Sequence, residues 1–207
     1  MSADQFSLTP AAGNVADKTN YLCEDLTRIA LDSIGFPRVP SARLFGAVDY
    51  KLAAYLFLPE FTLRQALYID SKAEKQSLNN ARVQIRQTSL EVRQLKGGKP
   101  ITMQGLMPPV ATVSGNPYLT TTIFVKYHYA ITGSQLQLRQ ISVVSLPNGF
   151  LQDVYNPTIA DGIWNVGPDS PSRGEEFRTR VNFEKLGAKA VWRVQRLVPG
   201  KDWTYRS

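Results

Sequence analysis

The chain has very little of the two side chains on which many hydrolytic and metal-binding sites depend. Its 207 residues include one cysteine, Cys23, and one histidine, His128. A single cysteine excludes an intrachain disulfide, and one cysteine with one histidine cannot complete a zinc site by themselves. Ser-His-Asp or Cys-His catalysis would have to rest on His128, which lies inside a strongly β-forming segment. We therefore expect Cys23 and His128 to be packed residues rather than catalytic ones.

Several sequence signals are also missing. No apolar run approaches the 18 residues of a membrane span, and the N-terminus lacks the basic and then apolar pattern of a signal peptide. Neither G-x-x-x-x-G-K-[ST] nor G-x-G-x-x-G occurs, which removes the main support for a nucleotide-binding fold. These absences predict a cytoplasmic protein with no membrane association.

What the chain does contain is the composition of a globular protein with a basic balance. Hydrophobic residues make up 43% and charged residues 20%, and the formal net charge is +7. We expect a single domain over residues 1–207, with 1–16 as a flexible N-terminal arm. The positive charge favours an anionic partner, whether nucleic acid, acidic lipid or acidic protein, although an ordinary basic surface has the same balance.

Periodicity predicts a mixture of helices and strands. A helix at 17–33 would bury a stripe formed by Leu22, Leu26, Ile29 and Ala30, and a second helix is expected at 76–92. Strands are expected at 43–58 (as two short strands), 65–72, 119–131, 138–146, 177–183 and 192–198, with a turn at 132–134. This mixture indicates an α/β or α+β protein.

The stretch 66–74 combines an apolar strand with opposite charges. Alternation divides its side chains into two faces, with Leu67 and Ile69 on one and Tyr68, Asp70 and Lys72 on the other. Strands that enter a core normally lack charges, so this pair indicates either a surface ion pair at a strand end or a functional site. A second carboxylate, Asp49, ends the apolar run 44–48 earlier in the chain.

Two carboxylates and a lysine on neighbouring strands would suit metal-dependent phosphodiester hydrolysis. Mg²⁺ takes oxygen ligands and keeps several waters, so Asp49, Asp70 and the backbone carbonyl of Ser71 are candidate metal ligands. Lys72 would orient the attacking water and stabilise charge on the phosphate. The residues thus favour a nuclease as the working hypothesis.

A second group of residues suits base recognition in DNA. Alternation at 177–183 places Arg178 and Arg180 on one strand face, where two guanidinium groups match the O6 and N7 acceptors of guanine. Asp169, in the preceding loop, would accept from a cytosine amino group. The alternative is a pair of arginines on a solvated sheet face.

Two further charged groups lie on the expected helices. Arg82, Arg86 and Arg93 would share a face of the helix at 76–92, either solvated or directed at DNA phosphates. Glu24 lies four residues before Arg28, which is the spacing of a solvated ion pair on a helix. The alternative for Glu24 is a position directed at the active site.

Short segments along the chain resemble the SfiI-like Type II restriction endonucleases of the PD-(D/E)xK nuclease superfamily, in order and spacing over about 20–198. These segments are 22–26, 45–51, 68–73, 121–125, 145–147, 155–157, 170–175 and 178–181. The resemblance implies a mixed β-sheet flanked by helices.

Specific residues acquire roles by the same resemblance. Asp49, Asp70 and Lys72 match the family's catalytic positions, and Glu24 matches a helical glutamate that would be a peripheral metal or water ligand. Arg178 and Arg180 match arginines that contact guanines. The family's proline before the first catalytic aspartate is Val48 here, and a lysine of the recognition loop is replaced by Pro168.

The resulting hypothesis is a Type II restriction endonuclease that uses Mg²⁺, with Mn²⁺ as a substitute, to cleave double-stranded DNA at an interrupted, GC-containing palindrome. By analogy the products would have 3′ overhangs. Cutting both strands of a palindrome requires a two-fold homodimer at least, or a homotetramer. A cognate methyltransferase would occur in the same cell without direct contact. The alternatives are a modification-dependent or repair nuclease of the same fold, and a DNA-binding module without catalysis.

Overall fold

The computed structural model describes residues 15–35, 53–57, 63–75, 79–132, 135–165 and 177–206. Its helices are α1 (Val15–Ile34), α2 (Gln152–Tyr155) and α3 (Phe183–Lys189). Its strands are β1 (Ala53–Phe57), β2 (Gln65–Glu74), β3 (Asn80–Gln84), β4 (Val92–Lys96), β5 (Lys99–Met103), β6 (Val110–Val113), β7 (Asn116–Thr132), β8 (Gln135–Ser145), β9 (Arg178–Asn182) and β10 (Val194–Leu197). Of the predicted features, Asp49, Pro168, Asp169, the strand expected before residue 53 and most of the turn at 132–134 lie outside the described residues.

A mixed six-stranded sheet forms the centre of the molecule. Its strand order is β1-β2-β7-β8-β10, and β6 pairs with residues 116–119 at the start of β7. β2 and β7 are parallel, whereas the remaining pairs are antiparallel. Between β6 and β7, Ser114 and Gly115 both have positive φ, as a tight two-residue hairpin turn requires. The predicted fold class, a mixed sheet with flanking helices, is confirmed.

β2 is covered on both faces, which explains its apolar run. Leu67 and Ile69 pack with Leu31 of α1 on one face. Ala66 and Tyr68 pack with Met107 and Tyr118 on the other face. The predicted strand at 65–72 and its two-face alternation are therefore confirmed.

α1 confirms the predicted helix but buries a different side from the one expected. Thr19, Cys23 and Thr27 recur at intervals of four and are buried, whereas Ile29 is 63% exposed. The hydroxyl of Thr27 lies 2.9 Å from that of Tyr127 on β7, and this pairing makes a threonine acceptable against the sheet. Burial and the neighbouring Glu24 raise the pKa of Cys23 to about 12, so its thiol is a packed group.

The predicted helix at 76–92 is wrong. This segment contains β3, a single 3₁₀ turn at Ile85–Gln87 and the start of β4. Ala81, Val83 and Ile85 are buried at alternate positions, which is the period of a strand. β3 pairs antiparallel with β9, and this pair is called the ribbon from here on. The backbone of β3 therefore pairs with β9, far along the chain, and does not form the hydrogen bonds of a local helix.

The ribbon packs its apolar side on the main sheet. Val83 and Val181 belong to the same buried cluster as Phe124 of β7 and Val144 of β8. Asn182 ends β9 and caps α3, since its side chain accepts from the backbone N–H groups of Glu184 and Lys185. In the described part of the chain, no helix combines the length and apolar character of a membrane span.

Candidate active site

Asp70 and Lys72 form a close ion pair on the face of β2 that looks toward the ribbon. The Lys72 Nζ lies 2.6 Å from Asp70 Oδ2, and the two side chains keep only 19% and 17% of their exposure. The Lys72 ammonium also lies 5.5 Å from the centre of the Phe124 ring. Alternation places both polar groups on one face, and the apolar neighbours keep them partly out of water. A pair this sheltered is unlike a solvated ion pair at a strand end.

Gln87 is a third member of this group. Its Nε2 donates to Asp70 Oδ2 at 2.7 Å, and its Oε1 accepts from the backbone N–H of Gln84 at 2.9 Å. Sequence reasoning missed this residue because no local pattern distinguishes one glutamine in a polar run. The contact is made by the 3₁₀ turn, which turns Gln87 back toward β2 after β3 ends.

The pair lies on β2 just after the position where its described pairing with β1 stops. That pairing ends at Ala53 opposite Ile69, whereas the pairing with β7 continues to Glu74. Both hydrogen-bonding partners of the Asp70 carboxylate within the described ranges use Oδ2. Among the described residues, Oδ1 has no partner and can accept another ligand.

The ligand that the described residues offer at this place is the Asp70 carboxylate, whose oxygen suits a hard divalent cation. Within the described residues, no three His, Cys, Asp or Glu side chains gather into a group that could hold a metal ion. The predicted partner carboxylate, Asp49, lies outside that part of the chain. Among the described residues, Asp70 can therefore supply one carboxylate ligand to a metal ion. The other metal ligands stay predictions from the sequence.

Glu74 and a buried lysine connect this strand to the ribbon. Lys126 of β7 is fully buried, and its Nζ donates to Glu74 Oε2 at 2.8 Å and to the backbone carbonyl of Asn80. Burial lowers the pKa of Lys126, while the bond to Glu74 opposes that shift. The same Glu74 oxygen lies 4.0 Å from Arg180 Nη1. The continuation of β2 therefore contacts the arginine strand directly.

The outer face of the ribbon carries amide and guanidinium groups at alternate positions. In the antiparallel register the opposed pairs are Asn80 with Asn182, Arg82 with Arg180, and Gln84 with Arg178. The predicted alternation of β9 is confirmed, since Thr179 and Val181 are buried and Arg178 and Arg180 are half-buried. The Nε atoms of Arg82 and Arg178 have no hydrogen-bond partner among the described residues. Both Nε atoms are buried, so they are unpaired donors inside this face and not donors exposed to an external ligand.

The three arginines assigned to one helix face do not share a face. Arg82 lies on β3, Arg86 in the 3₁₀ turn and Arg93 on β4. Arg93 bonds to Glu91 at 2.5 Å and to the carbonyl of Pro157 at 2.5 Å. These contacts use its guanidinium within the protein. The prediction that the three arginines share one helix face is wrong because the helix does not form. Their contact with DNA phosphates stays a prediction.

Glu24 lies on α1, half-buried. α1 packs on the Leu67 and Ile69 face of β2, whereas the carboxylate of Asp70 points to Gln87 on the other face. The structure does not bring Glu24 into the Asp70 group of hydrogen bonds, and its role stays a prediction.

His128 lies on β7, and burial is the main cause that lowers the pKa of its imidazole.

Comparisons with known proteins identify the family of the chain. A family model described as Type II restriction enzyme SfiI matches residues 13–197. The Type II restriction enzyme SfiI of Streptomyces fimbriatus is 34% identical over 205 residues, which cover 94% of this chain and 76% of that protein. The chain is therefore a Type II restriction enzyme, a site-specific deoxyribonuclease. More particularly, it belongs to the SfiI family, as the sequence resemblance predicted.

Two solved structures share the fold. A crystal structure of the tetrameric restriction endonuclease SfiI bound to cognate DNA has a TM-score of 0.76 and 28% identity, and the match covers 98% of this chain and 78% of that one. The restriction endonuclease BglI, bound to its DNA recognition sequence, has a TM-score of 0.66 at 19% identity over 90% of this chain and 72% of that chain. At this lower identity the BglI structure supports the fold alone.

Proposed function

We propose that residues 1–207 form one restriction endonuclease domain that cleaves double-stranded DNA at an interrupted, GC-containing palindrome and leaves 3′ overhangs. The observation that carries the catalytic part is the sheltered Asp70–Lys72 pair, in which Asp70 Oδ2 lies 2.6 Å from Lys72 Nζ and 2.7 Å from Gln87 Nε2. It lies on the same side of β2 as the ribbon, whose outer face carries Arg82, Arg178 and Arg180. A reactive centre next to a donor-rich strand pair suits cleavage close to a recognised sequence.

Asp70, the backbone carbonyl of Ser71 and Asp49 would hold Mg²⁺, with Mn²⁺ as a substitute, and Glu24 would act at the periphery. When bound, the metal ion supplies charge stabilisation on the phosphate and a more acidic water. Asp70 suits this role because its Oδ1 has no partner among the described residues. Asp49 precedes Ala53 by four positions, and Ala53 lies opposite Ile69. A segment of four residues spans at most about 14 Å, so the length of the chain allows Asp49 to reach Asp70.

Lys72 would orient the attacking water and stabilise the charge that develops on the phosphate oxygens. Its ammonium is held by one bond to Asp70 and lies over the Phe124 ring. An ammonium has three donors, so two directions remain for water and phosphate. Restricted rotation of the pair limits the directions in which those donors can point.

Recognition would be carried by β9 and the loop before it. Arg178 and Arg180 would contact guanine edges, and Asp169 a cytosine amino group. Arg82 and Arg86 would contact phosphates, whereas Arg93 would stay bonded to Glu91 and to the Pro157 carbonyl. A two-stranded ribbon is narrow enough for the major groove, as other β-ribbon proteins show.

Two copies related by a two-fold axis would cut the two strands of one palindrome. The relative of known structure is a tetramer on its cognate DNA. We propose a homodimer as the minimal active unit and a homotetramer as the form that engages two sites.

Digestion of unmodified phage DNA with Mg²⁺ tests the proposal, followed by end-mapping of the fragments. Discrete fragments with one shared end sequence and 3′ overhangs are the expected result, with no cleavage by Asp70→Asn. A smear, or cutting only of modified DNA, would support a repair or modification-dependent nuclease instead. If the purified protein binds DNA and Asp49→Ala changes no measurable property, the protein is a binding module without this catalysis.

A further inference from the structure

We propose that Gln87 is a positioning residue that holds the Asp70 carboxylate in its metal-binding rotation and so sets the concentration of divalent metal that cleavage requires. The inference rests on the proposed metal-ligand role of Asp70. It concerns a residue that no sequence motif assigns, and it predicts a change in metal dependence rather than a general loss of activity.

The orientation of the Gln87 amide follows from its partners. The backbone N–H of Gln84 is a donor only, and it lies 2.9 Å from Oε1. The opposite end of the amide must therefore be the NH₂ group, which donates to Asp70 Oδ2 at 2.7 Å. A carboxylate accepts at that position, so the two contacts agree on one orientation. The amide has no alternative arrangement that satisfies both partners.

The backbone of Gln87 is fixed as well. The hydroxyl of Thr122 on β7 donates to the Gln87 carbonyl at 2.7 Å. The side chain is 2% exposed, so water does not compete for the amide. Gln87 is thus held between β7 and the end of β3, and its NH₂ group reaches a third strand, β2.

As a result, one oxygen of the Asp70 carboxylate, Oδ2, has two partners. Lys72 and Gln87 both bond to Oδ2, from two directions, which resists rotation about the bond to the carboxylate carbon. The other oxygen, Oδ1, which has no partner among the described residues, is thereby held in a fixed direction. Without Gln87 one flexible ammonium would remain to orient the group. Groups that orient metal ligands in this way affect metal affinity or activity by about 10–100-fold.

Gln87 also connects Asp70 to the ribbon. Gln84 lies opposite Arg178 in the β3–β9 register, and its N–H group is the one that fixes the Gln87 amide. A shift of the ribbon would therefore change the bond that orients Asp70. This provides a direct structural path between the proposed base-contacting strand and the carboxylate.

Gln87→Met tests the proposal, because methionine keeps the length and volume and loses the donor. We expect the Mg²⁺ concentration for half-maximal cleavage to rise by about 10–100-fold, with the rate recovering at saturating metal. Binding of Mn²⁺ to the whole protein without DNA, followed by electron paramagnetic resonance, should weaken in the same variant. DNA affinity in EDTA should stay unchanged.

Gln94→Met is the matched control. Gln94 is also a buried glutamine, but its side chain accepts from Thr179 on the ribbon. A packing role for Gln87 would give both variants similar losses of thermal stability and an unchanged metal midpoint. Thr122→Val, which removes the bond to the Gln87 carbonyl, is the second variant if Gln87→Met does not fold. It should raise the metal midpoint in the same direction.

Asp70→Asn separates this inference from the proposed function. If Asp70→Asn still cleaves at a normal rate, the proposed catalytic role of Asp70 is wrong. If Asp70→Asn is inactive while Gln87→Met and Thr122→Val keep the wild-type metal midpoint, only the positioning role of Gln87 is overturned.

Discussion

β2 and the ribbon both carry charged side chains, but in opposite settings. β2 is covered by α1 on one face and by a second apolar cluster on the other, so Asp70 and Lys72 satisfy each other inside the protein. The ribbon packs its apolar side on the main sheet, and its other side carries half-buried arginines. The buried Nε atoms of Arg82 and Arg178 lack partners among the described residues. In the first setting the charged groups pair with each other, whereas in the second the guanidinium groups are incompletely paired within the described residues. We infer that chemistry and recognition are divided between these two regions.

The largest expected effect is on β2. Lys72→Ala should lower the single-turnover cleavage rate by about 10²–10⁴-fold, because charge stabilisation and water orientation are lost together. DNA affinity measured in EDTA should change little. Lys75→Ala, at an exposed position three residues later, is the control. A normal rate in Lys72→Ala would remove β2 from the catalytic machinery.

The second effect concerns the connection between the two regions. Lys126→Met should reduce the free energy of unfolding by about 3 kcal/mol, the low end for breaking a buried pair, because Glu74 keeps some exposure to water. Urea denaturation measures this change. Lys189→Met, which removes a pair with the exposed Asp161, should cost less than about 1 kcal/mol. Equal losses in the two variants would contradict a structural role for Lys126.

On the ribbon the expected effect is selective. Arg180→Ala should weaken binding to the cognate site by about 1–3 kcal/mol and relax discrimination at one base pair, with less effect on unrelated DNA. Competition binding with single-base variants of the mapped site measures both quantities. Arg28→Ala removes an exposed arginine that pairs with Asp25 on α1, and it should have neither effect. A uniform weakening across sequences would instead make Arg180 a phosphate contact.

The smallest effect separates the arginines once assigned to a single helix. Arg86→Ala should weaken binding to all sequences and reduce the slope of log affinity against log salt by about 1. Arg93→Ala should leave that slope unchanged, because Arg93 is bonded to Glu91 and to the Pro157 carbonyl. Titrations between low and moderate salt measure the slopes. If Arg93→Ala changes the slope as much as Arg86→Ala, its protein contacts do not survive in the complex.

Sequence reasoning succeeded where the periodic pattern was unambiguous and local. The alternation of β9 was predicted correctly because its buried residues recur at every second position. In β2 the two faces were also assigned correctly, although residues 66–69 are all buried because both faces are covered. It failed at β3, because Ala81 and Ile85 fit a helical spacing as well as a strand. Pairing with β9, in which Asn80 lies opposite Asn182 far along the chain, selects the strand over the helix. For α1 the helix was predicted correctly but its buried side was not. The hydroxyl of Thr27 pairs with that of Tyr127 on β7, so this polar residue packs on the sheet.

By itself, the sequence determined the family, the mixed sheet and the shared face of Asp70 and Lys72, because these depend on ordered segments and on alternation within one strand. The tertiary structure alone decided that Gln87 contacts Asp70, that Lys126 joins Glu74, and that Arg180 bonds to Asn80. These partners lie 17, 52 and 100 positions apart in the chain. Packing of the ribbon on the sheet selects such pairs, and no local spacing specifies them.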